Sequence, residues 1–204
     1  MKKKLTILVA LCISLSQFQC SESINPSIDS SGTPNFLFYP LAVGNMWIYC
    51  DSAQTVFDTV IIQSRTNVGD TLWWKLQNPS FACAELQEEF GSVGDTLIRW
   101  AYDRGGSRFV TSLFLPPRDT SYHFERFYGD VGEFIRVTKY YRSCTVPAGR
   151  FDQYITYVAD RGSQKDSVVI VPRVGIVARI FSWFEYPDKK QFTRKSFLYK
   201  YKLK

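Results

Sequence analysis

The chain has 204 residues, of which 45% are apolar and 16% aromatic, and its formal net charge is +6. That apolar share is enough for a hydrophobic core and excludes a chain that is disordered throughout. Without Lys2, Lys3 and Lys4, 22 of the 25 basic residues remain against 19 acidic ones. This excess is too weak for a nucleic-acid-binding surface, so no nucleic-acid partner is expected.

The first 19 residues are predicted to be an export signal. A basic start, Lys2–Lys4, precedes an apolar run from Leu5 to Leu15, which is the order found in signal peptides. A run of that length rises about 16 Å as a helix, roughly half of the ~30 Å bilayer core. The run is therefore predicted to be a cleaved signal and not a membrane-spanning helix.

Two cleavage routes stay open after this signal. Cys20 followed by Ser21-Glu22-Ser23 is typical of a bacterial lipoprotein, in which the cysteine is lipidated and becomes the first residue. The Ser-, Pro- and Asn-rich residues 20–35 would then be a flexible tether. However, Gln17-Phe18-Gln19 departs from the usual small or aliphatic residues before such a cysteine. Ordinary cleavage after Ser14-Leu15-Ser16 fits the small-x-small rule and would release a soluble protein.

The cysteines allow few disulfides and no clear metal site. Lipidation of Cys20 would leave Cys50, Cys83 and Cys144, which permit at most one disulfide, whereas ordinary cleavage would leave four cysteines. Their spacing does not reveal which of them pair. His123 is the only histidine and the cysteines lie far apart, so neither a metal nor another cofactor is predicted.

Residues 36–204 are predicted to form a single β-rich domain. Short segments rich in Val, Ile, Thr and aromatic residues alternate with a period of two, and clusters of turn residues separate them. The clusters at 66–70 and 91–95 are predicted turns, and 81–90 is the one candidate for a short helix, although it could equally be a loop. The pattern predicts an all-β, mainly antiparallel fold with about ten short strands and little helix. Such strands form a curved sheet, a half-barrel or a barrel-like sandwich.

The last predicted strand, 192–203, shows the clearest alternation. Its apolar side chains are predicted to share one face and its lysines the other. The apolar set is Phe197, Tyr199, Tyr201 and Leu203, and the lysines are Lys200, Lys202 and Lys204. The lysines are typical of a solvated face or of a sheet edge protected against aggregation. Contact with anionic headgroups or an anionic polymer is the alternative.

Three segments resemble the opening and closing signatures of a family of bacterial exported proteins and lipoproteins without an established activity. Residues 38–49 (FYPLAVGNMWIY) resemble the opening Tyr-Pro-Leu-x-Val-Gly-Asn-x-Trp-x-Tyr pattern. Residues 145–151 (TVPAGRF) and 171–177 (VPRVGIV) resemble the closing pair. The resemblance implies an exported β domain over 38 to about 180. A more distant analogy, of fold only, relates such domains to the half-barrels of lipoprotein carriers.

The prolines, glycines and aromatic residues of these segments are interpreted as fold determinants, because proline and glycine fix turns and the aromatic residues point to one face of the first strand. These residues are Pro40, Gly44, Trp47, Tyr49, Pro147, Gly149 and Gly175.

No catalytic constellation is identified. His123 and Glu125 would share a strand face, but neither a nucleophile nor an oxyanion hole accompanies them. Glu85, Glu88 and Glu89 cluster, yet nothing in the sequence places two carboxylates across a cleft as a glycosidase requires. The sequence therefore predicts a protein that is not an enzyme.

Three tryptophans are the candidate ligand-facing aromatics: Trp73, Trp74 and Trp100. Trp73 and Trp74 are adjacent on a predicted strand, so their side chains point to opposite faces. An outward indole would suit a sugar-stacking platform or the mouth of an apolar pocket. Burial of both faces in a sandwich is the alternative.

The predicted function is that of a non-enzymatic envelope lipoprotein domain that binds an apolar ligand, such as a lipid, or another envelope component. Its predicted partner is the membrane, through a lipid on Cys20, and an envelope protein is a further candidate. The alternative function is a structural or interaction module of a surface assembly, and an uncharacterised hydrolase comes third. A soluble periplasmic or secreted protein is the alternative localisation.

Overall fold

The computed structural model describes residues 39–69, 71–77, 81–83, 89–93, 96–102, 108–115, 118, 120–128, 131–185 and 190–204. The predicted signal, Cys20 and the tether lie outside these residues. The strands belong to one compact unit. Among the described residues, no helix is long and apolar enough to cross a membrane.

The described residues form fourteen strands and one 3-10 turn, Phe81–Cys83. The first seven strands are β1 Met46–Cys50, β2 Phe57–Val68, β3 Thr71–Gln77, β4 Glu89–Val93, β5 Thr96–Tyr102, β6 Arg108–Phe114 and β7 Tyr122–Tyr128. The others are β8 Val131–Tyr140, β9 Cys144–Val146, β10 Gly149–Phe151, β11 Tyr154–Asp160, β12 Gln164–Val171, β13 Gly175–Glu185 and β14 Lys190–Lys202.

Twelve of these strands make one antiparallel sheet, in the order β6-β5-β4-β3-β2-β1-β14-β13-β12-β11-β8-β7, and β9 and β10 pair separately. The sheet curls so that its two edge strands, β6 and β7, come into contact. Phe114 at the end of edge strand β6 packs on Tyr157 of β11, with ring centroids 4.8 Å apart. The Tyr157 hydroxyl donates to the Leu115 carbonyl at 2.6 Å. The predicted all-β, barrel-like antiparallel fold is confirmed.

One local prediction around β4 is wrong. The segment 81–90, a candidate helix or loop, begins with the 3-10 turn Phe81–Cys83 and ends with the first two residues of β4, and residues 84–88 lie outside the described part of the chain. The predicted turn at 91–95 begins too early, because Gly91 and Ser92 are paired in β4 with β3 and β5. A strand of five residues that contains a glycine shows too little alternation to be recognised from its sequence.

The predicted faces of the last strand are also partly wrong. Tyr49 of β1 pairs with Leu198 and its neighbour Ile48 pairs with Lys200, so Tyr199 is an extra residue in a β-bulge. Leu198 is fully buried while Tyr199 is 42% exposed. Tyr201 packs against the core from the side that Leu198 occupies, and Phe197 and Tyr199 do not share that face. Because β14 lies between β1 and β13, its exposed lysines mark a solvated face and not a sheet edge.

The inner face of the curled sheet carries the hydrophobic core. Alternate residues along each strand point inward and are buried, as the period of two requires. The core includes Val60, Ile62, Trp74, Phe90, Leu97, Ile135, Val137, Ile155, Val168, Ile170 and Leu198.

The opening segment, 38–49, and the second closing segment, 171–177, meet at one end of this core. The indole of Trp47 donates to the carbonyl of Val174 at 2.6 Å, and the Tyr49 hydroxyl donates to that of Ile176 at 2.9 Å. Between those acceptors, Gly175 has φ +100°, and a Cβ there would lie 3.3 Å from both Trp47 Nε1 and the Tyr39 ring. The end of the core is thus closed by contacts between segments 127 residues apart.

The remaining signature residues lie at turns around the same end. Gly44, with φ +91°, donates its amide to the Ile62 carbonyl at 2.8 Å. The carbonyl of Pro40 accepts a hydrogen bond from the Asn45 amide at 3.1 Å. Pro147 is exposed in the turn before Gly149, which has φ +139° and begins β10.

Candidate functional site

A tier of buried charges crosses the inner face beyond the apolar core. Asp166 of β12 and Arg179 of β13 form a bidentate pair, with Arg179 Nε and Nη2 at 3.0 and 2.6 Å from the carboxylate oxygens. Arg179 Nη1 also donates to the Phe81 carbonyl at 2.8 Å. Both side chains are buried. The pair therefore ties two neighbouring strands to the 3-10 turn.

A second ion-pair cluster is centred on Glu133 of β8. Its Oε1 accepts from Arg126 Nε of edge strand β7 at 2.7 Å, and its Oε2 accepts from Arg161 Nε at 2.6 Å. Arg126 and Glu133 are buried, whereas about a third of the Arg161 side chain is exposed. The cluster holds β7 against β8 and connects the buried tier to solvent at Arg161.

A small cavity of about 10 Å³ lies where the apolar core meets the charged tier. It is lined by Phe114, Arg126, Ile135, Tyr157, Ala159, Asp166 and Val168. This volume holds at most about one water molecule.

A larger groove, of about 290 Å³, opens on β2, β3 and β4. It is lined by Ser64, Thr66, Val68, Trp73, Trp74, Lys75 and Glu89. A β-bulge between Ile62 and Ser64 adds one residue to β2. Beyond it, Ser64 is the register partner of Lys75, and Thr66 is the register partner of Trp73. Lys75 in turn pairs with Glu89 of β4. The groove therefore combines hydroxyls, one cation and one carboxylate with an indole wall.

The three flagged tryptophans occupy different positions. Trp74 belongs to the core, is 2% exposed and donates its indole N–H to the Ser92 hydroxyl at 3.2 Å. Trp73 points to the other face, where it is 8% exposed beside the groove. Trp100 lies in β5, and its side chain is outside the described residues. The structure thus brings Trp73 and Trp74 to one groove.

Gly91 shapes this region and was not singled out from the sequence. It lies opposite Trp73, and a Cβ on it would come within 2.9 Å of Ile98 Cγ1 and 3.2 Å of Thr71 Cγ2. These side chains pack over the bare backbone beside the indole. A glycine inside a strand often marks such a close approach, and this is the signal that could have identified it.

A second aromatic surface, which the sequence reasoning missed, lies on the hairpin of β13 and β14. The rings of Phe181, Trp183 and Phe192 form a stacked row, with neighbouring centroids 5.5 Å apart and interplanar angles of 29° and 18°. Lys190 Nζ lies 5.2 Å from the Phe192 ring centre. Arg194 on the same face lies 4.3 Å from the Phe81 ring centre. We call Phe181, Trp183, Lys190, Phe192 and Arg194 the hairpin strip.

The other flagged polar residues do not converge. His123 and Glu125 are both exposed on edge strand β7. Glu85 and Glu88 are outside the described residues, and Glu89 lines the groove. Within the described ranges, no group of three or more His, Cys, Asp and Glu side chains could hold a metal ion.

Two of the cysteines are free thiols. Cys50 is buried at the end of β1, and Cys144 is half-buried in β9. Burial raises the pKa of both thiols, and the charge of Asp51 raises that of Cys50 further. Both are thus less ionised at neutral pH than an exposed cysteine. The side chain of Cys83 is outside the described residues.

No protein-family model and no curated protein sequence matches this chain. Among solved structures, the fold is similar to that of a predicted lipoprotein from Parabacteroides distasonis, with a TM-score of 0.40, 10% identity, and coverage of 81% of this chain and 98% of that one. A predicted exported protein with a YmcC-like fold from Bacteroides fragilis has a TM-score of 0.37 and 11% identity, over 81% and 99% of the two chains.

Proposed function

We propose that this protein is an exported, envelope-tethered domain whose groove beside Trp73 binds a saccharide of the cell envelope without turning it over. The observation that carries the proposal is the groove itself. It is an open recess whose lining joins an indole to hydroxyls and to both signs of charge.

The lining favours a sugar over an apolar ligand. Pockets for apolar ligands are mainly hydrophobic, with few polar groups. Four of the seven side chains around this groove are polar: Ser64, Thr66, Lys75 and Glu89. A sugar offers hydroxyls to such groups and C–H bonds to an indole. The volume, about 290 Å³, is near the lower end for ligand sites and suits a short saccharide better than a lipid.

The charges of the inner face support the same choice. A lipid carrier needs an apolar cavity within its curved sheet, whereas Arg126 and Asp166, which border the small cavity between core and charged tier, are buried charges. Of the two ligand classes predicted from the sequence, an envelope component is therefore the one we propose.

The groups at the groove support binding without catalysis. Hydrolysis of a glycoside requires two carboxyl groups on either side of the scissile bond. Among the described residues lining the groove, Glu89 is the one carboxylate, and His123 and Glu125 are on a different part of the sheet. We accordingly assign Glu89 the role of a hydrogen-bond acceptor for sugar hydroxyls.

A pair of matched glutamate variants tests the groove. N-acetylglucosamine oligomers serve as the first probe, followed by saccharides released from the envelope. Glu89→Gln should weaken binding about tenfold, because it removes a charged acceptor. Glu125→Gln replaces an equally exposed glutamate away from the groove and should leave the affinity unchanged. Equal affinities of both variants and the wild type, or no saccharide binding at all, would contradict the proposal.

The envelope tether is tested separately by intact mass. Protein purified from its own membranes is compared with a Cys20→Ala variant. An acylated chain beginning at Cys20, lost in the variant, is the expected result. An unmodified chain beginning near Gln17 would instead mean ordinary cleavage, and the groove proposal would then apply to a soluble exported protein.

A protein-interaction module is the second candidate function. Phe134 of β8 and Tyr141 just beyond it are 68% and 69% exposed. Exposed aromatic side chains of this size are enriched in binding hot spots. Cross-linking in intact cells should capture an envelope protein at these positions if this function is correct, and the double variant Phe134→Ser/Tyr141→Ser should abolish that product.

A further inference from the structure

The outer face of the curled sheet carries an apolar row that crosses β13, β14, β1 and β2, which are neighbours in the sheet. Its members are successive register partners: Ala178, Phe197, Cys50 and Phe57. They point away from the inner face, because Tyr49, the residue before Cys50, points into the core. The row is separate from the groove, whose part of β2 begins at Ser64, beyond the β-bulge.

The β2 end of this row is open to solvent. Ala178 and Cys50 are buried, whereas Phe57 is exposed. The β-bulge of β14 places the exposed Tyr199 beside it, with the two ring centroids 4.9 Å apart and the rings packed edge to face. We call Phe57, Phe197 and Tyr199 the outer patch. Two exposed rings that pack on each other form one apolar surface, which is the kind of feature that marks an interaction site.

Lysines flank the outer patch along β14. Lys195 lies two residues before Phe197, and Lys200 and Lys202 follow Tyr199 on the same face, opposite Ile48 and Met46 of β1. All three lysines are exposed, and none of them forms an ion pair with a carboxylate of the described residues.

The carboxylates next to the patch do not cancel this charge. Asp51, in the turn that joins β1 to β2, accepts hydrogen bonds from the amide and the hydroxyl of Thr55. Asp58 follows Phe57 and is the register partner of Tyr49, so it lies on the opposite face of β2. The outer patch is therefore an apolar surface bordered by cations that have no partner among the described carboxylates.

The described chain enters the fold at the same end of β14. Tyr39 packs on Trp47, with ring centroids 5.8 Å apart, and Trp47 is the register partner of Tyr201, between Lys200 and Lys202. The residues before Tyr39 thus join the domain beside the basic end of this face. A tether fixed to a membrane through Cys20 would hold that end towards the lipid.

We propose that the outer patch and its lysines dock on an anionic lipid bilayer, as a contact made by the protein itself in addition to any lipid on Cys20. The exposed rings of Phe57 and Tyr199 would enter the headgroup region, where aromatic side chains are favoured. The lysines would lie against acidic headgroups, each strengthening the binding about fivefold. Apolar area and attraction to anionic lipids together determine the strength of such interfacial binding.

Vesicle binding of the protein without its lipid tests the proposal. The mature chain is produced without its signal and with Cys20→Ala. It is mixed with vesicles of phosphatidylcholine alone, or of equal parts phosphatidylcholine and phosphatidylglycerol, and the bound fraction is measured by sedimentation. Binding should occur on the anionic vesicles and should weaken as salt is raised, because the charges are screened.

Two matched pairs of variants locate the contact. Lys200→Gln should weaken binding about fivefold, whereas Lys190→Gln, an exposed lysine on the opposite face of β14, should have no effect. Phe57→Ser should also weaken it about fivefold, whereas Phe134→Ser, an exposed ring on β8, should have no effect. Because all four side chains are exposed, each variant should unfold at the same temperature as the parent protein.

Equal binding to both kinds of vesicle, or no binding to the anionic ones, would overturn the proposal. Equal effects of the Lys200 and Lys190 variants would also overturn it. So would a loss in Lys200→Gln with none in Phe57→Ser, because that pattern describes attraction to any polyanion. Glu89→Gln should bind the vesicles as the parent protein does, so this test and that of the groove can fail separately.

Discussion

The two ends of the inner face are built on different principles. At the Trp47 end, Trp47 and Tyr49 are buried and direct their polar atoms to backbone carbonyls, Trp47 to that of Val174 and Tyr49 to that of Ile176. At the other end, arginine and carboxylate side chains satisfy one another, as Arg179 and Asp166 do. The stability of the Trp47 end depends on how its side chains fit together, and the stability of the charged tier depends on the pairing of its charges.

This difference indicates where the fold should tolerate change. An aromatic that donates to a backbone carbonyl stays partly stabilised by its packing when that hydrogen bond is removed. A buried charge that loses its partner must instead be desolvated without compensation. The charged tier should therefore be more sensitive to single substitutions, and the Trp47 end more sensitive to added volume.

The largest effect is expected for Asp166→Ala. The variant leaves the Arg179 guanidinium buried without its carboxylate, which should lower the free energy of unfolding by about 3–5 kcal/mol. Urea denaturation measures it. The double variant Asp166→Val/Arg179→Met removes both charges and should lose less than the single one. If the double variant lowers the free energy of unfolding by the sum of the two single losses, the cost would not come from an unpaired buried charge, and the charged tier would not differ from the Trp47 end in this respect.

An exposed ion pair provides the matched control. Arg150 and Asp152 lie 4.0 Å apart, with side chains 70% and 95% exposed. Asp152→Ala should leave the stability unchanged, because exposed pairs contribute little. A loss comparable to that of Asp166→Ala would mean that burial is not the reason for the effect.

Gly175→Ala should have the next largest effect and tests the shape-dependent end. An alanine would adopt φ +100° with its Cβ 3.3 Å from Trp47 Nε1 and from the Tyr39 ring. Strain and crowding together should cost about 2–4 kcal/mol. Gly162→Ala is the control, since φ is +75° there and nothing lies within 4 Å of a Cβ. Equal losses of stability in the two variants would show that the positive φ alone, and not crowding by the added Cβ, causes the effect.

Tyr49→Phe should have a smaller effect. The substitution keeps the ring and removes the hydroxyl that donates to Ile176, so unfolding should become easier by about 1–2 kcal/mol. Thermal unfolding followed by circular dichroism measures the change. Tyr199→Phe, on an exposed residue, should shift the midpoint little. If Tyr49→Phe lost more stability than Asp166→Ala, the Trp47 end would be more sensitive to single substitutions than the charged tier, which is the reverse of the proposal.

The smallest effect is a pH dependence at Tyr157, which lies where the two ends meet. Burial raises its pKa well above the ordinary value of 10, and the nearby Tyr122 adds to this. The folded state therefore keeps the phenol protonated, and its stabilising contribution is complete below pH 10. Above that pH the unfolded chain ionises first, so stability should fall by at most about 1.4 kcal/mol per pH unit.

The Tyr157→Phe variant isolates this contribution. Its stability is compared with that of the wild type between pH 9 and pH 11 by urea denaturation, in the range set by the ordinary tyrosine pKa near 10. The difference between the two proteins should narrow as the pH rises. A constant difference would mean that the phenol titrates alike in the folded and unfolded states.

The sequence predicts the fold class well because alternation with a period of two is local information. Partners across the sheet are not local. Nothing in residues 38–49 indicates that Trp47 donates to Val174, 127 residues away. The bulge at Tyr199 inverts the faces of β14 and has no signature in the lysine pattern.

The charged tier and the hairpin strip were missed for related reasons. Asp166 occurs at the same alternate positions of β12 as Val168 and Ile170, which is the one local sign that it points inward. On β13 a bulge near Val177 interrupts the alternation of inward and outward residues. The alternation before the bulge therefore does not predict which way Arg179 points. The strip depends on the register of Trp183 with Phe192, whereas Trp73 was found because two adjacent tryptophans are conspicuous in any strand.

The most direct test of the binding account is a titration followed through the five tryptophan indole N–H signals in a two-dimensional NMR spectrum. The account predicts that a neutral envelope saccharide shifts the Trp73 signal while Trp47, whose N–H is bound to Val174, stays unchanged. An envelope saccharide that binds and shifts other indole signals but leaves Trp73 unmoved would contradict it.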